Sequence, residues 1–154
     1  MTALRPDAFI REQGDAPAAG APNLTLWISE AGGLGQFGAF VEVLQPGTRS
    51  SLAHWHSAED EMVYVLEGQV TLVEGTTETV LHPGDAATFK AGVPVGHCLW
   101  NRSAAPTRCL VVGTRAPLDR ITYPELDRVR VRDRSLPDDT WTTIAGAPAS
   151  SPFA

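Results

Sequence analysis

Two histidines one residue apart, with a glutamate five residues after the second, constrain this chain more than any other feature. They lie in the stretch Gly47–Gly68, GTRSSLAHWHSAEDEMVYVLEG. Alternate residues on a strand project to the same face. His54 and His56 therefore stand side by side, with Trp55 on the opposite face. The run MVYVLEG after Glu61 reads as a strand ending in a turn. A strand that starts at Glu61 lets the returning chain bring its carboxylate to the two imidazoles. Imidazoles paired with a carboxylate suit a divalent transition metal.

A fourth ligand has to come from elsewhere. The remaining histidines are His82, directly before a Pro-Gly turn, and His97, which opens the apolar run HCLW after a Gly/Pro turn. A strand start aims a side chain into a cavity better than a turn does, so His97 is taken and His82 is left out. The candidate metal ligands are His54, His56, Glu61 and His97. Phase assigns the neighbours. Val63, Val65 and Leu99 share the ligand face, which makes the pocket mostly apolar around one ion. Trp55, Tyr64, Cys98 and Trp100 are out of phase and face away, the aromatics as core or interface residues. Glu59 and Asp60 read as solvated acids in a turn, so no catalytic acid or base is assigned.

The rest of the chain is strand grammar. FGAFVEVL puts Phe37, Ala39, Val41 and Val43 on one face and Phe40, Glu42 and Leu44 on the other. QVTLVEG and TETVLHPGD alternate around Gly75 like a hairpin. LTLWISE, AATFKAG, HCLWN and TRCLVVGTR complete the strands, and no segment before residue 115 has a helical period. An all-β sandwich or small barrel follows.

These residues resemble the two motifs of the cupin superfamily. The first runs Gly, about five residues, His-x-His, three or four residues, Glu, six residues, Gly. Here Gly47 is followed after six residues by His54-Trp55-His56, after four by Glu61 and after six by Gly68. The second ends Pro-x-Gly-x-x-His-x-x-x-Asn. His97 to Asn101 keeps its closing spacing, Lys90 stands for the leading Pro, and Gly92 lies five residues before His97, a turn two residues longer. The resemblance spans roughly residues 35–115. It implies a double-stranded β-helix (jelly roll) with its site inside, and it favours Mn or Fe. The ligands alone admit one divalent transition metal per chain, Fe, Mn, Ni or Zn. The implied function is a small-molecule enzyme, a dioxygenase, decarboxylase, lyase or isomerase. The alternative is a non-catalytic cupin that binds or senses a metabolite.

Three segments are expected: an N-terminal arm over 1–22, rich in Ala, Pro and Gly; one barrel domain over 23–116; and an irregular C-terminal tail over 117–154. The tail wraps the barrel or a partner subunit and carries one short helical turn after Pro124. Tyr123, Glu125 and Asp127 matter if it closes the pocket. A formal charge of −6 without a Lys/Arg cluster disfavours nucleic acid. No apolar run is long enough for a membrane span. The N-terminus lacks the apolar core of a signal peptide, and two cysteines make no disulfide framework, so a cytoplasmic protein is expected. Apolar strands and outward aromatics point to a homodimer.

Overall fold

The computed structural model describes residues 3–14 and 21–153. Its strands, in chain order, are β1 (Ile10–Gln13), β2 (Leu24–Trp27), β3 (Phe37–Leu44), β4 (Trp55–His56), β5 (Glu61–Glu67), β6 (Val70–Glu74), β7 (Thr77–Leu81), β8 (Ala86–Phe89), β9 (His97–Trp100), β10 (Thr107–Thr114), β11 (Leu118–Tyr123), β12 (Arg128–Asp133) and β13 (Thr140–Thr142). They form three antiparallel sheets, ordered β1-β2-β3-β10-β5-β8, β13-β12-β11-β4 and β7-β6-β9. This is the all-β double-stranded β-helix that the alternation and the two motifs predict.

Period-two patterning accounts for the core. On β5, Val63 and Val65 are buried while Met62, Tyr64 and Leu66 are exposed. Leu44 from β3, Val111 from β10, Leu72 from β6 and Leu99 from β9 join them in one cluster. Burying each such side chain contributes about 1.5–3 kcal/mol. Gly68 turns the chain from β5 to β6 at φ 79°, and a Cβ there would lie 3.0 Å from the Pro106 carbonyl oxygen. Only glycine meets both conditions without strain. Asn101, the last residue of the second motif, is fully buried. Its amide donates to the carbonyls of Leu44 and Ala105 at 2.9 and 2.8 Å, which ties the end of β9 to β3.

Both ends of the chain differ from expectation. The arm has structure of its own: β1 pairs with β2, Ile10 opposite Trp27, and Trp27 Nε1 donates to Glu12 at 2.8 Å. The Ala/Pro/Gly composition that hid this strand belongs largely to residues 15–20, which lie outside the described residues. The segment after 117 is not irregular either. β11, β12 and β13 build a sheet onto β4, and the turn after Pro124 is a single 3-10 turn, Pro124–Leu126. The cue was present in Arg128-Val129-Arg130-Val131-Arg132, a strict alternation obscured by its charge. β2 also stops at Trp27, where a helical turn, Ile28–Ala31, takes over.

Candidate metal centre

The four candidate ligands reach one place from three short segments. His54 and His97 face each other across an antiparallel bridge, with N···O distances of 3.2 and 3.0 Å. The longer turn before His97 is tied back by Gly92 N, which donates to the His56 carbonyl at 2.8 Å. Glu61 opens β5. One ligand atom each from His54, His56 and Glu61 lies within 4.8 Å of the others. His97 Nε2 is 3.5 Å from Glu61 Oε1, and the His54 and His97 rings are 5.2 Å apart. Phe89 stacks on His97 at 3.5 Å and fixes its plane. His82 stands apart, exposed in its turn near Asp85.

Hydrogen bonds decide which nitrogens face the centre. His54 Nδ1 is 2.9 Å from the Leu52 carbonyl, which only accepts, so Nδ1 carries the proton. His56 Nδ1 is 2.6 Å from Asp119 Oδ2. Burial pushes the Asp119 carboxyl up, but hydrogen bonds from His56, Ala58 N and Ser57 outweigh it and hold it below its ordinary 3.8. Asp119 is therefore an acceptor, and His56 also donates from Nδ1. Both rings keep a bare Nε2. His97 Nε2 is buried and has no hydrogen-bond partner among the described residues. Leaving a buried polar atom unpaired costs about 1–3 kcal/mol. A cation bound by these nitrogens and Glu61 would remove that cost, so the donor set fits a divalent transition metal.

The electrostatics divide the two neighbouring histidines. Burial lowers His54 to about 4. Burial also pushes His56 down, but Asp119 outweighs it and raises the ring above its ordinary 6.5. For Glu61, burial pushes up while His97, His54 and His56 prevail and hold the carboxyl below its ordinary 4.5.

Several neighbours depart from the reading of the sequence. Glu59 is not a solvated acid. It is buried, lies 3.9 Å from His56 Nδ1, and accepts from Ala116 N and Arg134 at 2.9 and 2.8 Å. Asp60 is exposed and accepts from Ala91 N. Trp55 lines a cavity beside His56 and His97, whereas Trp100 lies outside, between Arg49 and Arg102. Of the three tail residues singled out, Tyr123 packs 5.6 Å from the His54 ring, while Glu125 and Asp127 are exposed. Cys98 and Cys109 are buried and free, on strands of different sheets.

Two residues near the centre were not singled out from the sequence. Asp119 is the partner of His56. Glu42 lines a cavity of about 150 Å³ together with His54, Glu61 and His97, so this pocket is less apolar than its Val63 and Leu99 predict. Burial, and then the charge of Glu61, push the Glu42 carboxyl up to about 7. Its signal was a lone carboxylate on the strand face of Phe40 and Leu44.

Comparison with known proteins follows the same lines. The family model described as a cupin domain matches residues 40–113. A crystal structure from Silicibacter pomeroyi, named as a sugar phosphate isomerase from the cupin superfamily, is 37% identical. It covers 97% of this chain and 98% of its own, with a TM-score of 0.85. A structure from Acidithiobacillus ferrooxidans, provisionally named a sugar phosphate isomerase, is 26% identical over 84% of this chain and 81% of its own, with a TM-score of 0.75. A predicted oxalate decarboxylase from Thermotoga maritima shares the fold at 18% identity, covering 75% of this chain and all (100%) of its own, TM-score 0.61. No curated protein matches the chain.

Proposed function

Since the chain belongs to the cupin superfamily, we propose that it is a metal-dependent enzyme, and that its reaction is the isomerisation of a small hydroxy-carbonyl compound. His54, His56, Glu61 and His97 would hold the ion. A bound divalent metal would supply Lewis-acid polarisation of the substrate carbonyl. Among Fe, Mn, Ni and Zn the donor atoms make no choice.

One observation carries the enzymatic reading over a passive binding module. Glu42 opens onto the same cavity as three of the four ligands and makes no side-chain hydrogen bond among the described residues. A buried carboxyl titrating near neutrality can take a proton and return it. Aldose–ketose isomerisation through an enediol requires that service. A proton leaves the carbon next to the carbonyl and is delivered to the neighbouring carbon, while the hydroxyl and carbonyl exchange places. No oxidant or reductant enters. The name of the relative at 37% identity supports the same class. Phe40, Val63 and Leu99 line the same cavity as Glu42.

A homodimer goes with this reading. Phe37, Met62, Tyr64 and Leu66 are exposed on the outer face of the six-stranded sheet, where a second copy would cover them. No helix among the described residues is long and apolar enough to cross a membrane. Two free thiols fit the reducing cytoplasm that we propose as its compartment.

The test is solvent-proton exchange. Metal-loaded protein is incubated in D₂O with a panel of free and phosphorylated aldoses and ketoses and followed by NMR. Isomer formation with deuterium entering at the carbon beside the carbonyl is the expected result, lost in Glu42→Gln while metal content is kept. Isomer formed without deuterium at carbon would take Glu42 out of the proton transfer, and stoichiometric metal with no isomer from any member of the panel would replace the isomerase by a binding module.

A further inference from the structure

Arg115, Arg132 and Arg134 line one cavity of about 250 Å³, and His56 and Glu61 line it too. We propose that this cavity seats the phosphate monoester of the substrate, with the reactive end of the molecule directed at the metal centre. The inference rests on the metal-centre reading above and adds the substrate class and the residues that select it.

The guanidiniums arrive from different elements: Arg115 from the link between β10 and β11, Arg132 from β12, and Arg134 from just beyond it. Arg115 and Arg132 are half-buried, Arg134 is more exposed, and each is held in place. Arg115 donates to the Leu34 carbonyl at 3.0 Å and pairs with Glu30. Arg134 donates to the Ala116 carbonyl at 3.0 Å and to Glu59 at 2.8 Å. Arg132 reaches Asp139 at 3.3 Å, but Arg130 already pairs with that carboxylate. Every guanidinium offers five N–H donors, so each of the three retains donors for a ligand.

Charge favours an anion here. Glu30 and Glu59 also line the cavity, but each is already bonded to one of its arginines. Arg132 is the surplus: with Arg130 it shares a single carboxylate, Asp139. The charge of Glu61 is taken up once it holds a cation. Geometry favours phosphate over carboxylate. A planar carboxylate fits one guanidinium fork, whereas the three terminal oxygens of a phosphoryl group can accept from three directions. Cavity walls built from the centre's own His56 and Glu61 put the two ends of such a substrate within one small molecule's reach.

The test is calorimetric titration of inorganic phosphate into the full chain, metal-loaded and metal-stripped, with acetate as the planar comparison. The variants are Arg132→Gln, Arg115→Gln and Arg102→Gln, the last on the outer surface beside Trp100. Circular dichroism checks that each is folded. Expected is phosphate binding by the metal-loaded parent, weaker but still present in the metal-stripped protein where Glu61 keeps its charge, and weakened about tenfold in Arg132→Gln and Arg115→Gln and unchanged in Arg102→Gln. Three results would overturn the proposal: no binding by the parent, equal binding by all variants, or binding that disappears when the metal is stripped. Acetate binding as tightly as phosphate would overturn the phosphate assignment. Metal content, read separately by elemental analysis, keeps the two readings apart. Full metal without phosphate binding removes only the subsite; phosphate binding by a parent that takes up no metal on reconstitution removes only the centre.

Discussion

The stretch from Gly47 to Gly68 and the segment from Leu118 to Arg134 meet at His56, and they bring it different things. The first carries three of the four proposed ligands: His54, His56 and Glu61 sit on or beside short strands and bring their donor atoms together. The second carries none of the four proposed ligands. It supplies Asp119, which fixes the His56 tautomer, Tyr123 beside the His54 ring, and two arginines of the neighbouring cavity, Arg132 and Arg134. The two histidines register the difference. His54, oriented by the Leu52 carbonyl of its own stretch, is held at about 4. His56, oriented by a carboxylate of the second segment, is raised. Three of the four proposed donors are thus local in sequence, and of these His56 takes its orientation and charge from a distant strand while His54 does not.

Breaking the donor side should have the largest effect. In the cobalt(II)-loaded protein, His97→Ala should abolish the ligand-field absorption, leaving metal content near zero. Bands of unaltered strength would remove His97 from the ligand set. Next comes Glu42→Gln, for which turnover should fall by about 10²–10⁴ with metal content unchanged, the range for loss of a general acid–base group. Unaltered turnover would take Glu42 out of the reaction.

The second segment is tested by Asp119→Asn. Metal affinity at pH 8 should fall about 10–100-fold, as for other partners of metal-bound histidines. The pH dependence sharpens this. A proton on Nε2 competes with the metal, and the raised His56 takes one first as pH falls, from above its ordinary 6.5. His54 stays neutral until about 4. Affinity should therefore weaken from near-neutral pH downward. In Asp119→Asn the onset should move to lower pH, because the cause of the raised value is gone. An onset unmoved in the variant would show that Asp119 does not set it.

The smallest effect on the centre is expected from Gly68→Ala. The left-handed φ and the 3.0 Å approach to Pro106 should cost about 1–3 kcal/mol. Tm should fall while metal stoichiometry holds. A variant of unchanged Tm would mean that the β5–β6 turn relaxes freely.

The fold was legible because β3, β5 and β10 alternate or run apolar between clear turns, and because His54, His56, Glu61 and Gly68 keep a known spacing. What was lost shares one cause. Asp119 meets a histidine 63 residues away, and Glu59 meets an arginine 75 residues away. Read locally, the one is an acid in a charged tail and the other an acid in a polar turn. Pairing across such distances is decided by the register of β11 against β4 and β12, which no spacing within either segment reveals. Glu42 was placed on the correct face of β3, but its proximity to Glu61 depends on β10 lying between their strands.

The most direct measurement is elemental analysis of tag-free protein purified without added metal, beside His56→Ala and His82→Ala. A centre built on His54, His56, Glu61 and His97 should give close to one divalent transition metal per chain in the parent and in His82→Ala, and almost none in His56→Ala. A parent that stays metal-free after reconstitution, or a His56→Ala variant that keeps the parent's metal, would contradict it.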